Sequence, residues 1–172
     1  MLFEKHKDYI DDLFTRYPIK RSALLPLLNL AQKEEGYVSQ GAMREIASIL
    51  DLTPPQVFDT ATFYTMLHLK PIGEYHIQVC RSLMCALVKA DNLIEWLQKH
   101  LDISVGQTTL DKMFTLSAVE CLGSCGTGPM MQINDDYYER LTEDKVEKIL
   151  ADLKQTGHCE LKSGPFMAPE PR

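Results

Sequence analysis

Four of the five cysteines in this 172-residue chain fall in two close pairs, and this spacing constrains the fold more than any other feature. Four residues separate Cys80 from Cys85, and three separate Cys121 from Cys125. Thiolates are soft ligands that select zinc, copper(I) or iron–sulfur clusters. Two short loops that each supply a pair of thiolates can enclose a [2Fe–2S] cluster, which takes four cysteines. The sequence therefore predicts that Cys80, Cys85, Cys121 and Cys125 are the ligands of one [2Fe–2S] cluster.

The loop around the second pair is rich in glycine, with Gly123, Gly126 and Gly128 before Pro129. Glycine lets a backbone approach a ligand closely and adopt positive φ. Backbone N–H groups of such a loop are expected to point at sulfur, which stabilises the charge added on reduction. That charge goes from about −2 to about −3. Since the chain itself carries a net charge of −6, we expect a low reduction potential.

Other uses of these cysteines stay open at this point. Structural zinc also takes four cysteines, although spacings of four and three residues fit its ligand loops imperfectly. Disulfides require an oxidising compartment and would leave one of the five cysteines over. A redox-active thioredoxin centre would need a C-x-x-C motif, which the sequence does not contain. Cys159 stands alone, and we expect it to be a bystander thiol.

Composition argues against several classes of partner. A net charge of −6 and a pI near 5.3 disfavour nucleic acid and anionic membranes, both of which attract a basic face. No run of about 18 apolar residues is present, so membrane insertion is not expected. The first residues resemble neither a secretory signal nor a transit peptide, which favours a cytoplasmic location. Since the sequence has no phosphate loop, dinucleotide fingerprint or nucleophile–base set, we predict no catalytic residues in this chain.

The first 72 residues predict a bundle of four short amphipathic helices. Ser22 and Ser39 are candidate N-caps, and Thr53 with Gln56 forms a candidate capping box. The fourth helix is expected to continue past Met66, until Pro71 and Gly73 end it. The apolar spacing places the four helices at residues 8–17, 22–36, 39–52 and 54–67.

Beyond Gly73 the apolar period changes to two, which predicts a strand that runs directly into Cys80. The elements expected after it are a helix at 91–101, a hairpin at 108–119 that turns near residues 111–112, strands at 130–134 and 137–138 around a turn at 135–136, and a helix that begins at Thr142. The apolar stripes expected to be buried are Leu93, Ile94, Leu97 and Leu101 on the first of these helices, and Val146, Ile149, Leu150 and Leu153 on the second. Strand–helix–strand followed by strand–strand–helix is the thioredoxin-like order. The predicted fold is therefore α+β: an N-terminal four-helix bundle (1–72), a thioredoxin-like [2Fe–2S] ferredoxin domain (73–157) and an extended C-terminal tail (158–172).

Several segments of this chain are similar to one known protein family: residues 21–28, 35–39, 57–66, 75–80, 120–125 and 128–135. They resemble the small [2Fe–2S] subunit of respiratory complex I, NADH:quinone oxidoreductase, over about residues 15–155. The resemblance implies that Cys80, Cys85, Cys121 and Cys125 hold the cluster. It also implies a partner subunit that binds FMN and NADH and exchanges electrons with this cluster, in the cytoplasmic peripheral arm of a membrane-attached complex. The sequence is compatible with either a monomer or a homodimer of the isolated subunit.

Within this resemblance one loop departs from the expected pattern. Gly126-Thr127-Gly128 stands where we would expect bulkier or alanine-containing residues. Additional glycine is expected to loosen the loop, and to affect the reduction potential more than the fold.

The same resemblance covers the equivalent subunits of NAD-linked hydrogenases and formate dehydrogenases, which the sequence separates poorly from complex I. Alternatives of another class are a structural zinc-binding adaptor and an iron–sulfur helix-turn-helix regulator, since the helices at 39–52 and 54–67 are joined by a tight turn. The candidate recognition helix, however, has no Arg or Lys to neutralise phosphate. A free-standing ferredoxin is a third alternative, although such a carrier needs neither the helical part nor the tail.

The fourth predicted helix carries an aromatic and methionine cluster formed by Phe58, Phe63, Tyr64 and Met66. Core packing is one interpretation of these side chains. A partner-facing patch is the other, because aromatic residues and methionine are enriched at protein interfaces.

Overall fold

The structure is a computed structural model that describes residues 3–163. Its contacts divide the chain into two compact units, Met1–Pro71 and Ile72–Arg172. Most of the predicted C-terminal tail, residues 164–172, lies outside the described residues. Among the helices of residues 3–163, none is long and apolar enough to cross a bilayer.

The N-terminal unit consists of four α-helices around one hydrophobic core. Each helix turns an apolar stripe inward, and Leu27, Leu28 and Ile46 are fully buried where the stripes meet. Short 3₁₀ turns precede the first two helices. The helices are α1 (Lys7–Arg16), α2 (Leu24–Glu35), α3 (Gln40–Leu50) and α4 (Pro54–Phe63).

Two of the predicted helix starts are confirmed by their hydrogen bonds. The Ser39 hydroxyl accepts from the Ala42 backbone N–H at 3.1 Å and so caps α3. At the start of α4, the Gln56 side chain accepts from the Thr53 backbone N–H at 2.9 Å, which completes the capping box. Both caps satisfy N–H groups that have no partner within their helix.

Ser22 is not a helix cap, so this prediction was wrong. It lies in the 3₁₀ turn Lys20–Ala23, and α2 begins after Ala23 without a side-chain cap. Pro26 then falls in the first turn of α2, where a missing N–H costs no helical hydrogen bond.

The fourth helix is shorter than its apolar spacing predicts, because it ends at Phe63 and leaves Met66 outside. The side chain of Gln32 is the physical reason. Its amide donates to the Met66 carbonyl at 2.9 Å, and its carbonyl accepts from the His68 N–H at 2.6 Å. These bonds give the backbone after α4 a partner on α2 in place of helical ones, a contact that no local pattern reveals.

The C-terminal unit is a mixed four-stranded sheet with helices, in the predicted thioredoxin-like order. The strands lie in the order β2-β1-β3-β4; β1 is parallel to β2 and antiparallel to β3, and β3 is antiparallel to β4. The strands are β1 (Tyr75–Cys80), β2 (Phe114–Val119), β3 (Met131–Ile133) and β4 (Asp136–Tyr138). The helices are α5 (Leu83–Leu87), α6 (Ala90–Leu101) and α7 (Glu143–Thr156).

One core holds this unit together. Ile77 and Leu116 of the sheet and Leu97 and Ile149 of the helices are fully buried in it. The stripes predicted for α6 and α7 are the buried ones, and Thr142 caps α7 by accepting from the Lys145 N–H. Since parallel strands need a crossover connection, α6 is the element that allows β1 and β2 to pair.

Two details of the predicted strands are wrong. The hairpin expected at 108–119 is reduced to a single bridge between Thr108 and Thr115, because β2 pairs with β1 along its full length instead. The turn between the last two strands lies at residues 134–135, one position earlier than expected, and Asn134 takes the left-handed φ of 53° there. Asparagine tolerates this conformation better than most residues.

Replacement of Ser39 by alanine is expected to lower the free energy of unfolding by about 1 kcal/mol, because the Ala42 N–H loses its cap. Urea unfolding followed by circular dichroism measures this. Ser22→Ala is the matched control and is expected to change stability by less than about 0.5 kcal/mol. Equal effects of the two substitutions would contradict the assignment of the caps.

Candidate iron–sulfur centre

The first cysteine pair is part of the hydrophobic interior. Cys80 is the last residue of β1 and Cys85 lies in α5, and only 3% and 2% of their surfaces are exposed. They pack with Ala90 and Met130 in a small buried cluster, and the Cys80 N–H donates to the Met130 carbonyl at 3.2 Å. The strand and the helix therefore hold these two sulfurs rigidly.

The second pair lies on an exposed loop after β2. The sulfurs of Cys121 and Cys125 are 3.8 Å apart. Two thiolates bound tetrahedrally at about 2.3 Å from one metal would be separated by about 3.8 Å. The Gly123 N–H donates to the Cys121 sulfur at 3.3 Å, as expected of the glycine-rich loop, and Gly123 has a φ of 86°. This pair is spaced as two ligands of one iron would be.

The two pairs come together because β1 and β2 are parallel neighbours. The segments that follow these two strands, which carry the two cysteine pairs, therefore leave the sheet at the same edge. Cys80 pairs with Val119 in the strand register, and Val119 is two residues before Cys121. Gly128 brings the second loop against the first pair: a Cβ at Gly128 would lie 3.4 Å from the Cys85 sulfur and 3.0 Å from Cγ2 of Val88. The departure at Gly128, expected to loosen the loop, instead permits close packing.

The sulfurs interact with one another electrostatically. Burial, followed by the hydrogen bond and charge of Cys80, raises the pKa of Cys85 to about 11, while the Met130 N–H acts in the opposite direction. The hydrogen bond and charge of Cys121 are the main causes that raise the pKa of Cys125. Bound metal cations would offset the repulsion between neighbouring thiolates, and the thiols would release their protons on binding.

The donor set fits a [2Fe–2S] cluster. It consists of four free cysteines, two from each loop, with N–H groups directed at the sulfurs of Cys85 and Cys121. Within residues 3–163, no three or more His, Cys, Asp or Glu side chains are placed closely enough to hold one single metal ion. When bound, such a cluster would supply one-electron transfer.

Cys159, predicted to be a bystander, is buried elsewhere. It belongs to the main core of the C-terminal unit, and its sulfur lies 3.6 Å from Oδ2 of Asp152 on α7. Burial raises the pKa of this thiol. Cys80 and Cys85 belong to a different buried cluster.

Side chains near the end of β4 hold the second loop, and the sequence pattern did not single them out. The Tyr137 hydroxyl donates to the Leu122 carbonyl at 2.8 Å. The Glu139 carboxylate accepts from the hydroxyls of Ser124 and Thr127. These hydrogen bonds, that of Ser124 first, lower the pKa of Glu139. Because these contacts join residues 12 to 15 positions apart, no local spacing indicates them.

Comparison with known proteins identifies the family. The model of the thioredoxin-like [2Fe–2S] ferredoxin family matches residues 10–154. This chain belongs to that family. Two curated relatives are an NADH-quinone oxidoreductase subunit of Rickettsia felis, 44% identical over 86% of this chain and 90% of its own length, and NADH-quinone oxidoreductase subunit 2 of Thermus thermophilus, 39% identical over 88% and 86%.

Solved structures give the same fold. An air-oxidized NAD⁺-reducing [NiFe]-hydrogenase matches with a TM-score of 0.68 at 22% identity, over 77% of this chain and 23% of the hydrogenase chain. The family assignment confirms the resemblance drawn from the sequence, the thioredoxin-like α+β fold, the [2Fe–2S] cofactor and an electron-transfer role in oxidoreductase chemistry. The four ligand positions remain a prediction.

In the folded, iron-free chain at pH 8, iodoacetamide is expected to label Cys121 at least about tenfold faster than Cys85. Cys121 is exposed, whereas Cys85 is buried and its pKa is raised from 9.0 to about 11, so that about 100-fold fewer Cys85 side chains are thiolates than without this shift. Peptide mass spectrometry after timed labelling measures the rates. In urea the two rates should converge. Equal rates in the folded chain would contradict the described burial.

Proposed function

We propose that this chain is the electron-transfer subunit of an NADH:quinone oxidoreductase and holds one [2Fe–2S] cluster on Cys80, Cys85, Cys121 and Cys125. The observation that carries the ligand assignment is the approach of the second loop to the first pair, through Gly128 at the Cys85 sulfur. The 3.8 Å separation of the other two sulfurs supports it. The names of the curated relatives support the choice of complex.

The cluster exchanges electrons with FMN on a partner subunit, and that subunit binds NADH. This chain contributes no catalytic residue and acts as an oxidoreductase only within the complex. The exposed second pair supports this role, since sulfur ligands at the surface bring the cluster within reach of a partner's cofactor.

The flavin-bearing partner docks beside the first cysteine pair. Leu83, Met84, Leu87 and Val88 are exposed on and just after α5, which also carries the buried Cys85, and Leu87 is 69% exposed. Exposed apolar residues that lie together mark interaction surfaces, and methionine is enriched there. We name these four residues the α5 patch.

The N-terminal unit also serves assembly. Its helices act as a four-helix bundle with an apolar surface at the end of α4, where Phe58, Phe63 and Met66 are exposed and Phe63 is 78% exposed. This exposure favours a partner-facing patch, rather than core packing, as the interpretation of these aromatic and methionine side chains. The subunit then belongs to the cytoplasmic peripheral arm of the complex.

Structural zinc is the weaker candidate for the same four sulfurs. A 3.8 Å separation suits zinc as well as iron, but a four-cysteine zinc site needs all four sulfurs around one ion, and within residues 3–163 no three such ligands are placed in that way. In that case the chain would be an adaptor without redox chemistry. Metal analysis separates the two candidates directly.

Serine at Cys80, Cys85, Cys121 or Cys125 is expected to remove most of the bound iron and sulfide, because a hydroxyl is a poorer ligand for iron than a thiolate. Cys159→Ser is the matched control and is expected to retain about two irons per chain. Iron, sulfide and zinc analysis is combined with EPR of anaerobically purified, dithionite-reduced protein. Equal loss from Cys159→Ser would overturn the ligand set, and zinc without an S = 1/2 signal would overturn electron transfer.

Affinity purification of this chain from its native cells is expected to recover an FMN-containing subunit in about 1:1 ratio. Leu87→Glu should weaken that recovery at least about tenfold, since a charge would be buried in the interface. Leu110→Glu is the matched control: Leu110 is fully exposed in the turn before β2, at the opposite end of that strand from the cysteine loop. A chain that purifies alone, yet is reduced rapidly by a soluble reductase, would support a free ferredoxin instead.

A further inference from the structure

One carboxylate oxygen joins both flanks of Cys125. Oε1 of Glu139 accepts from the Ser124 hydroxyl, one residue before Cys125, and from the Thr127 hydroxyl at 2.5 Å, two residues after it. The two hydroxyl oxygens are themselves 2.6 Å apart. The 3₁₀ turn Cys125–Thr127 is thus closed around Glu139.

Glu139 is itself fixed by the fold. It follows Tyr138, which is buried at the end of β4, and β4 is paired with β3. Its carbonyl accepts from Nζ of Lys145 on α7 at 2.6 Å. The next residue, Arg140, donates its backbone N–H to the Thr127 carbonyl at 2.7 Å. The exposed loop is therefore tied to a strand and a helix of the unit.

The first cysteine pair needs no such anchor, because it is buried in β1 and α5. The second pair has no comparable packing, since both Cys121 and Cys125 are exposed. Hydrogen bonds to charged groups are stronger than those between neutral groups. A carboxylate with two hydroxyl donors is accordingly a strong way to hold an exposed loop in one geometry.

The carboxylate also adds a fixed negative charge beside this loop. Hydrogen bonds from Ser124 and then Thr127 lower the pKa of Glu139, so that it is ionised at neutral pH. Reduction of the cluster takes one electron from a donor such as dithionite and changes its formal charge from about −2 to about −3. A nearby negative charge raises the free energy of the more negative state.

We propose that Glu139 is a positioning residue of the iron–sulfur centre: it fixes the loop that carries Cys125, and its charge lowers the reduction potential of the bound cluster. This inference rests on the ligand set in the proposed function. Glutamine at position 139 keeps the Oε1 acceptor for both hydroxyls and removes the charge. Alanine removes the acceptor as well.

The test compares wild type with Glu139→Gln, Glu139→Ala and Glu147→Gln, each purified anaerobically. Glu147→Gln is the control, because it removes the same charge from an exposed position on α7. Iron and sulfide per chain report cluster content, and EPR-monitored titration with dithionite reports the potential. Glu139→Gln is expected to keep wild-type content with a more positive potential, by a shift that shrinks as salt is added. Glu139→Ala should lose cluster content or broaden the EPR signal.

The outcomes separate the parts of this inference. A Glu139→Gln potential equal to that of wild type and Glu147→Gln would overturn the role of the charge. Loss of the cluster from Glu139→Gln would overturn the assignment of positioning to the hydrogen-bond acceptor, which glutamine retains. A normal cluster content and line shape in Glu139→Ala would overturn positioning. Absence of a [2Fe–2S] signal from wild type itself would overturn the proposed function, and this inference with it.

Discussion

The parallel pairing of β1 with β2 is the contact on which the candidate site depends. Its register sets Cys80 opposite Val119, so the two cysteine-bearing segments leave the sheet side by side. The pairing is possible only because α6 crosses from the end of one strand to the start of the other and buries Leu97 against the sheet. The hydrophobic core of this unit is therefore also the support of the proposed redox centre.

The two cysteine pairs are supported by different physical means. Burial holds Cys80 and Cys85 in place, and it raises the pKa of Cys85. Hydrogen bonds hold the exposed loop of Cys121 and Cys125, through Glu139 and a Gly123 N–H. The first pair is rigid and shielded, and the second pair is exposed at the surface. This asymmetry suits a cluster that must be stable and still exchange electrons.

Most of the fold was accessible from local patterns. The caps at Ser39 and Thr53 were predicted because a cap is a contact between residues three apart, and the stripes of α6 and α7 because their period is 3.6. The end of α4 was missed because it depends on Gln32 of another helix. The hairpin at 108–119 was overestimated because β2 finds its partner in β1, far away in sequence.

The same division applies to the site. The sequence by itself determined which cysteines lie close together along the chain, that a glycine-rich loop surrounds one of these pairs, and which family the chain resembles. All three are properties of short segments. Only the tertiary structure decided that Gly128 packs against the Cys85 sulfur and that Glu139 closes the loop around Cys125. Those contacts exist because the chain returns through β3 and β4 to the loop it has already formed, and hydrogen bonds between such distant residues leave no periodic trace in the sequence.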